Sequence, residues 1–502
     1  MTETAVDLLS LMDDETKKAL FQMQRMGSEL RLRQPSIQHR MNFVRGRQPL
    51  TFASEEFSRY MGRRFQGFAD NWCLPIVQTP AERLDVQGIR LDSEDLRPDP
   101  EMSRVWRTNN AERGSAEAFV VGMAASRAFA LVWGDDDDED TPVITWERPE
   151  HTIVSYRPDT GRPTAGLKMW RDEDAGYEYA TLYTRTRVWK WQRRGAGHVE
   201  QDGPRPAMDP TGGWEPRHPA GDDVWPLPNP MGMVPLVELR NQTLLDDSPM
   251  SDIDGVISMQ NAVNLIWAYL FNALDYASLP QRVVTGAEVP KIPILNAQGE
   301  VVGEKPVDLD QLIQDRILFI PGGDDRVTAT EWSAARLDVF SQVIERAIEH
   351  LAAQTRTPSH YLIGKVANLS AEALVAAETG LVSKTQERLT YFTPGIRKIY
   401  ALVAAAQGNQ ARAKAALSGR VVWGDIQFRS LAQKVDALHK MHSMGFPTEW
   451  IAEEYGMEPH EVARVMRMRE REMAMDPVGA LADRLERTAP PEEPAEPVED
   501  GE

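Results

Sequence analysis

The stretch that decides the fold is Ile253-Asp-Gly-Val-Ile-Ser-Met-Gln-Asn-Ala-Val-Asn-Leu-Ile-Trp-Ala-Tyr-Leu-Phe-Asn-Ala-Leu-Asp-Tyr-Ala277. Apolar residues fill it densely, and Pro280 follows shortly after its end. Because proline lacks a backbone N–H and clashes with the preceding turn, Pro280 marks the helix terminus. The stretch therefore predicts one long helix of about 37 Å, at a rise of about 1.5 Å per residue.

The least charged part of this helix, Gly255 to Leu274, has about the length that crosses a bilayer. It also contains five side chains that would be costly in lipid: Ser258, Gln260, Asn261, Asn264 and Asn272. We therefore expect a buried helix in a soluble assembly and no membrane partner.

Downstream, the chain returns to short extended runs with Gly and Pro over residues 281–331. A second long helix is predicted from Ser333 to Gln354, where apolar residues recur every three or four positions. Thr357 to Asn368 has the composition of an interhelical loop, and a third long helix opens near Leu369 and runs towards Pro394. An Ala-rich helix over 396–417 and two helices over 430–442 and 459–474 complete the predicted order.

Upstream, residues 143–193 have the pattern of an antiparallel meander, with turn signals between short runs of alternating polarity. Gly, Pro and polar residues dominate 195–233, which predicts a long excursion with little regular structure. The predicted strands are Val143–Trp146, Thr152–Tyr156, Leu167–Arg171, Tyr177–Tyr183 and Arg187–Gln192.

The chain has 502 residues and is acidic, with 56 Lys and Arg against 76 Asp and Glu and a net charge of −20. Six of these charges lie in the unbroken run Asp135–Asp140, and six lie between Thr488 and Glu502. The rest of the chain carries a net charge of −8. This balance argues against a protein that coats DNA with a basic surface. The single cysteine, Cys73, excludes a disulfide framework and a Cys-rich metal site.

No local motif predicts catalysis or a cofactor. The sequence has no Walker A loop, no dinucleotide-binding glycine pattern and no nucleophile elbow. The run Asp135–Asp140 leaves one enzymatic alternative, a metal-dependent hydrolase. Calcium loops, however, space their ligands and include a turn glycine, so an exposed, solvated loop is the simpler interpretation of this run. We therefore expect a protein that is not an enzyme.

Several segments, in this order, resemble the portal proteins of tailed bacteriophages, most closely those of long-tailed phages that infect actinobacteria. The family usually has Gly where this chain has Ala371. The segments that carry the resemblance are Trp72 through Arg83-Leu-Asp-Val-Gln-Gly88, Trp106-Arg-Thr-Asn-Asn110, Phe119 to Trp133, Pro235-Leu-Val-Glu-Leu-Arg-Asn241, Ser251-Asp-Ile-Asp-Gly-Val-Ile-Ser-Met-Gln260, Leu279-Pro-Gln-Arg282 and Leu369-Ser-Ala-Glu-Ala-Leu374.

The resemblance implies an α+β fold that is predominantly helical, with an α/β wing, a two-helix stem, a small mixed α/β clip and a helical crown. Its implied divisions are the wing at 1–250, the first stem helix at 251–279, the clip at 280–331, the second stem helix at 332–356, a channel loop at 357–369, a long helix that returns to the wing at 370–429, the crown at 430–476 and a disordered acidic tail at 477–502.

The resemblance also implies a function: a ring of about twelve copies at one capsid vertex, through which DNA is packaged and ejected. Its implied partners are the terminase large subunit, the major capsid protein and scaffold, the head–tail connector and double-stranded DNA. The implied location is the virion, after assembly in the host cytoplasm. His360, Lys365 and Asn368 of the channel loop are the candidates for DNA contact. The alternative is another virion adaptor or capsid component.

Overall fold

The computed structural model describes residues 12–48, 59, 68–92, 94–95, 97–195, 208–218, 224–245, 248–278, 282–286, 291–295, 299–306, 317–320, 328–331, 336–363, 371–427, 431–457 and 459–475. The fold mixes helices and sheets. The chain divides into a large compact unit, Met1–Ile426, and a small one, Gln427–Glu502. Among the described helices, none combines the length and the apolarity needed to traverse a bilayer.

Among its described residues, the first part of the large unit contains four helices and ten strands: α1 (Asp14–Val44), α2 (Cys73–Ala81), β1 (Val86–Arg90), α3 (Pro100–Thr108), α4 (Ala111–Ala125), β2 (Arg127–Trp133), β3 (Val143–Glu147), β4 (Thr152–Tyr156), β5 (Pro163–Asp172), β6 (Tyr177–Thr184), β7 (Arg187–Arg194), β8 (Glu215–Pro216), β9 (Leu227–Pro228) and β10 (Leu236–Arg240).

The rest of the large unit contains α5 (Ile257–Ser278), β11 (Arg282–Thr285), β12 (Lys291–Leu295), β13 (Val301–Pro306), β14 (Ile317–Ile320), β15 (Thr328–Glu331), α6 (Asp338–Thr355), α7 (Ser359–Ile363), α8 (Ala371–Ala406), α9 (Gln410–Ser418) and β16 (Arg420–Trp423).

The six-stranded sheet has the order β4-β5-β6-β7-β8, with β9 also paired to β7. Its inner face packs on α1, and the two together bury one core of apolar side chains, among them Met23, Met26, Leu167 and Trp191. The N-terminal helix continues past Pro35 to Val44, well beyond the segment with the clearest apolar pattern. Asp13 caps its start by accepting a hydrogen bond from the backbone N–H of Thr16.

The prediction that β3 belongs to the meander is wrong. β3 pairs with β2 in a separate sheet of order β10-β2-β3. The physical reason is that β2 and β3 form a hairpin closed by the acidic run, whereas the turn after Glu147 sends the chain into the other sheet. The alternating polarity of β3 is the same in either sheet, so periodicity does not reveal its partner.

The largest core lies around α8, which is buried by α2, α4 and the sheet β10-β2-β3. We expected this helix to stop near Pro394, but it is continuous from Ala371 to Ala406. Buried residues on both sides of the proline, Phe392 and Ile396, belong to the same core, and this packing holds the helix together through the missing hydrogen bond. Gly395 permits the close approach of β10, because a Cβ there would lie 2.3 Å from the Leu239 side chain.

The two long helices α5 and α6 pack against each other around Val263, Ile344 and Ile348. Between them, the described residues form two small sheets, one of order β14-β11-β15 and the hairpin β12-β13. β11 runs parallel to β14 and antiparallel to β15. Residues 307–316 and 321–327 of the predicted clip, 280–331, lie outside the described residues.

The small unit contains α10 (Leu431–Ser443), α11 (Thr448–Tyr455) and α12 (Pro459–Met475). Only the first and third of these helices were expected, because α11 has just 8 residues and too few turns to show a clear period. The predicted acidic tail, 477–502, lies outside the described residues.

We predict that Phe392→Ala lowers the free energy of unfolding by about 3–5 kcal/mol, because it opens a cavity in the core around α8. The Phe392 ring is fully buried and lies 5.2 Å, between centroids, from the Phe119 ring. Chemical denaturation of the full-length protein measures the loss. Phe21→Ala is the matched control, since Phe21 is 70% exposed and its removal should change stability by about 0.5 kcal/mol or less. Equal losses in the two variants would contradict the assignment of this core.

Candidate functional site

Polar side chains on α5 bind the chain segment that leads into α2. The Gln260 side-chain oxygen accepts the backbone N–H of Trp72 at 2.9 Å, and that of Asn264 accepts the backbone N–H of Asp70 at 3.1 Å. The indole N–H of Trp267 donates to the Asp70 carboxylate at 2.7 Å. These contacts explain why an otherwise apolar helix carries amides: they satisfy backbone groups of a segment that has no regular structure.

A buried carboxylate, Asp252, lies just before α5. Its two oxygens lie 3.0 Å from the Lys384 ammonium and 3.0 Å from the Arg388 guanidinium, both on α8. The Asn241 amide donates to the same carboxylate at 2.7 Å, and the Asp252 backbone N–H donates to the Met123 carbonyl at 2.9 Å. These four side chains, Asp252, Asn241, Lys384 and Arg388, form what we call the Asp252 cluster.

The charges of the Asp252 cluster are unequal, with two cations around one anion. Burial raises the pKa of Asp252, but the attraction of Lys384 and Arg388 outweighs that effect and the net pKa lies below its ordinary value. Lys384 has only one carboxylate beside it and a second cation nearby. Burial therefore dominates and lowers the pKa of its ammonium. Asp252 is thus the carboxylate that both cations share.

Two further contacts converge on the same turn. The Arg40 guanidinium of α1 donates two hydrogen bonds to Asp254, at 2.7 and 2.8 Å. The Gln354 amide, near the end of α6, donates to the Gly255 carbonyl at 3.0 Å. Three helices, α1, α6 and α8, therefore contact the turn before α5, which sets the direction in which α5 leaves the rest of the unit.

The predicted channel loop, 357–369, is not entirely a loop, since α7 occupies its first part. A helix of 5 residues is too short for its period to be recognised in the sequence. Leu362 packs into the core between α5 and α6. The Tyr361 hydroxyl accepts from Arg83 and donates to Glu378, both at 3.0 Å, and Arg83 also lies 3.3 Å from Glu378.

Of the three candidate DNA-contacting residues, only His360 lies among the described residues. It is half-buried on α7, and its ring centroid lies 4.6 Å from that of Tyr361. Lys365 and Asn368 lie outside the described residues. Their role stays a prediction.

The acidic run Asp135–Asp140 forms the loop between β2 and β3, and the prediction of an exposed loop is confirmed. The Asp140 carbonyl anchors it by accepting from Arg104 at 2.9 Å and from Gln407 at 2.7 Å. Across the described part of the chain, His, Cys, Asp and Glu residues form no group of three or more that could hold a metal ion. The hydrolase alternative therefore gains no support from this geometry.

The sequence did not predict the Asp252 cluster, although Asp252 lies within one of the segments that resemble portal proteins. The available signal is on α8, where Lys384 and Arg388 occupy positions i and i+4 among residues that are otherwise buried, including Leu381 and Thr385. Two cations on a buried helix face imply a buried anion. The sequence does not say which carboxylate provides it.

We predict that Asp252→Asn lowers the free energy of unfolding by about 3–5 kcal/mol, because it leaves the buried Lys384 without a counter-charge and leaves Arg388 only the more distant Glu387 carboxylate, at 3.7 Å. Since the folded pKa of Asp252 is lowered, its contribution is present above the unfolded value, about 3.9, and is lost as the pH falls through the folded value. Stability measured between pH 7 and pH 2 should therefore fall less steeply below pH 4 in the variant.

Asp254→Asn is the matched control for this prediction. It removes a carboxylate two residues away whose side chain is 41% exposed, so we expect a loss of about 1 kcal/mol or less. Equal effects at the two positions would show that the Asp252 cluster has no special role.

Comparison with known proteins identifies the family. The family described as "Phage portal protein, SPP1 Gp6-like" matches residues 68–472. The "Portal protein" of Mycobacterium phage D29 and that of Mycobacterium phage L5 are each 26% identical over 416 residues, which cover 80% of this chain and 78% of the relative.

Two solved structures also match, each over 82% of this chain and 95% of the other chain. They are the neck of a native GTA particle computed with C12 symmetry, at a TM-score of 0.41 and 11% identity, and the neck of an empty GTA particle computed with C6 symmetry, at 0.40 and 14%. The family match itself extends over most of the chain, from the segment before α2 to the last turn of α12. The chain therefore belongs to the SPP1 Gp6-like family of phage portal proteins.

Proposed function

We propose that this portal protein forms a closed ring of about twelve copies at one capsid vertex and that DNA enters and leaves the capsid through the ring. The observation that carries the proposal, together with family membership, is the packed pair of long helices α5 and α6 with a small insertion of strands between them. We assign this pair to the stem, the insertion to the clip, the small unit to the crown and most of the first 250 residues to the wing.

Apolar side chains on the outer faces of the stem pair support the ring. Val339 and Val343 of α6 and Leu274 of α5 are each more than one-third exposed in a single copy. Val339 and Val343 lie one turn apart on α6, and neighbouring exposed apolar residues are typical of surfaces that a partner covers. In a ring built from head-to-tail contacts, the neighbouring copies provide that partner.

The charge of the chain supports passage of DNA without tight binding. The net charge is −20, and the Asp135–Asp140 loop is exposed. An acidic ring repels phosphates, whereas a basic wall would release counterions on binding and retain the DNA. His360, Lys365 and Asn368 would then provide a few local contacts to the DNA backbone within a repulsive channel.

The partners follow from this position at the vertex. The ring would dock the terminase large subunit during packaging and the head–tail connector afterwards, and would contact the major capsid protein and scaffold during assembly in the host cytoplasm. The proposal requires no cofactor and no catalysis by this chain.

We predict that the purified protein forms rings of about 680 kDa, given a chain mass of 56.5 kDa and about twelve copies. Val343→Glu should shift the population towards smaller species, because a charge there is desolvated when neighbouring copies meet. Sedimentation and negative-stain microscopy measure both results.

Gln342→Glu is the control for this experiment, because it adds the same charge at the adjacent exposed position of α6. A wild-type protein that stays monomeric at every salt concentration would overturn the ring. Identical sedimentation of the two variants would remove Val343 from the interface.

We predict that a photoreactive crosslinker attached to Lys365→Cys labels packaged DNA in assembled particles. The native Cys73 is buried, so it should add little background. Arg113→Cys is the control, because Arg113 is largely exposed on α4, outside the predicted channel loop. Absence of labelling from position 365, or equal labelling from both positions, would count against the placement of this loop in the channel.

A further inference from the structure

Two arginines lie directly opposite each other on the ribbon formed by β1 and β16. The antiparallel register pairs Arg90 with Arg420, and the preceding pair is Ile89 with Val421. Residues that are directly opposed on antiparallel strands project from the same face with their Cβ atoms about 4.5–5.5 Å apart, and like charges in that position destabilise the pairing. Ile89 and Val421 are buried in the main core, so the ribbon cannot shift its register to separate the two charges.

Neither guanidinium is neutralised within the described part of the chain. No ion pair joins Arg90 or Arg420 to any described carboxylate, and the Arg90 Nε is shielded from solvent without a hydrogen-bond partner. A buried N–H without a partner is rare in a folded protein and requires an explanation. Two unpaired cations held side by side by the core are therefore an unfavourable arrangement for the chain alone.

A cavity of about 280 Å³ adjoins this pair. Both arginines line it, together with Gln386 and Leu389 of α8 and the segment 421–426. Among the described residues of the lining, Asp425 is the only carboxylate, so these residues carry one excess positive charge. The Gln386 side-chain amide adds a neutral hydrogen-bond donor.

We propose that this cavity, the Arg90 site, binds one phosphate-type oxyanion between Arg90 and Arg420. Guanidinium groups bind phosphate through paired N–H donors, and such charge-assisted bonds are about twice as strong as neutral ones. A phosphate monoanion or dianion provides three or more acceptor oxygens, enough for two guanidinium groups and an amide, whereas a carboxylate provides two. The phosphate can come from free inorganic phosphate or from a nucleic acid backbone.

The Arg90 site does not depend on the ring, because all of its residues belong to one copy of the large unit. Loss of ring assembly would therefore leave phosphate binding intact, and loss of phosphate binding would leave the ring proposal intact. The ring proposal and the phosphate proposal can therefore be contradicted independently of each other.

The test compares the full-length protein with the double variant Arg90→Gln/Arg420→Gln in thermal unfolding and titration calorimetry. Sodium phosphate should raise the melting temperature of the wild type by about 2–4 °C over sodium chloride at equal ionic strength, and should leave the double variant unchanged. Without phosphate, the double variant should melt at or above the wild-type temperature, because the two opposed like charges are gone.

The matched control is Arg113→Gln/Arg157→Gln, which removes the same charge from two exposed arginines that already have carboxylate partners. It should respond to phosphate as the wild type does. If the double variant at the site is too unstable to measure, Arg420→Gln alone repeats the test, because Arg420 is the exposed member of the pair.

A duplex DNA probe without terminal phosphates distinguishes the two sources of the phosphate, free phosphate and the nucleic acid backbone. If sodium phosphate stabilises the wild type but not the double variant, the ligand is free phosphate. If only the duplex stabilises the wild type, and the double variant does not respond to it, the ligand is a phosphate of the nucleic acid backbone. Equal responses of the wild type and the double variant to both probes, or no response of the wild type to either, would overturn the proposal.

Discussion

The position of the long helices depends on one buried carboxylate. Asp252 is held by Lys384 and Arg388 from α8 and by its own N–H bond to the Met123 carbonyl of α4. Burying ions is costly, and only close partners with good geometry offset that cost. Because the cluster contains two cations and one anion, loss of Asp252 would affect both cations, whereas loss of either cation would leave a neutral pair. The carboxylate is therefore the member that the cluster cannot replace.

This arrangement fixes α5 to the core of the large unit. α8 crosses the main core, and through the Asp252 cluster it is joined to the turn from which α5 departs. The same turn receives Arg40 from α1 and Gln354 from α6. α7 is fixed separately, by Leu362 in the α5–α6 core and by Tyr361 between Arg83 and Glu378. The position of α7 is therefore fixed, as the proposed channel loop would require in order to project in the same direction in every copy.

Sequence alone was sufficient for elements with a strong local period. α5 and α6 follow from their apolar spacing, and the strands β4 to β7 follow from alternation and turn residues. The features that the sequence did not predict depend on contacts between residues far apart in the chain. Phe392 and Ile396 carry α8 through Pro394 only because one core buries both, and β3 joins the sheet of its hairpin partner rather than that of its successors. In the candidate site, His360 could be named from its position, but its neighbours could not.

The ion pairs of the arginines bear on the proposed passage of DNA. Many arginines of the large unit are already occupied by carboxylates: Arg171 and Arg193 share Glu178, and Arg127 and Arg240 share Glu238. A guanidinium held within 3 Å of a buried carboxylate is a poor ligand for a passing phosphate, because binding the phosphate would strand the carboxylate. These regions therefore offer DNA even less free positive charge than the net charge of the chain suggests. Arg90 and Arg420 differ because no carboxylate among the described residues engages them, and a stationary phosphate in their cavity would neutralise the pair without adding a basic surface to the proposed path of the DNA.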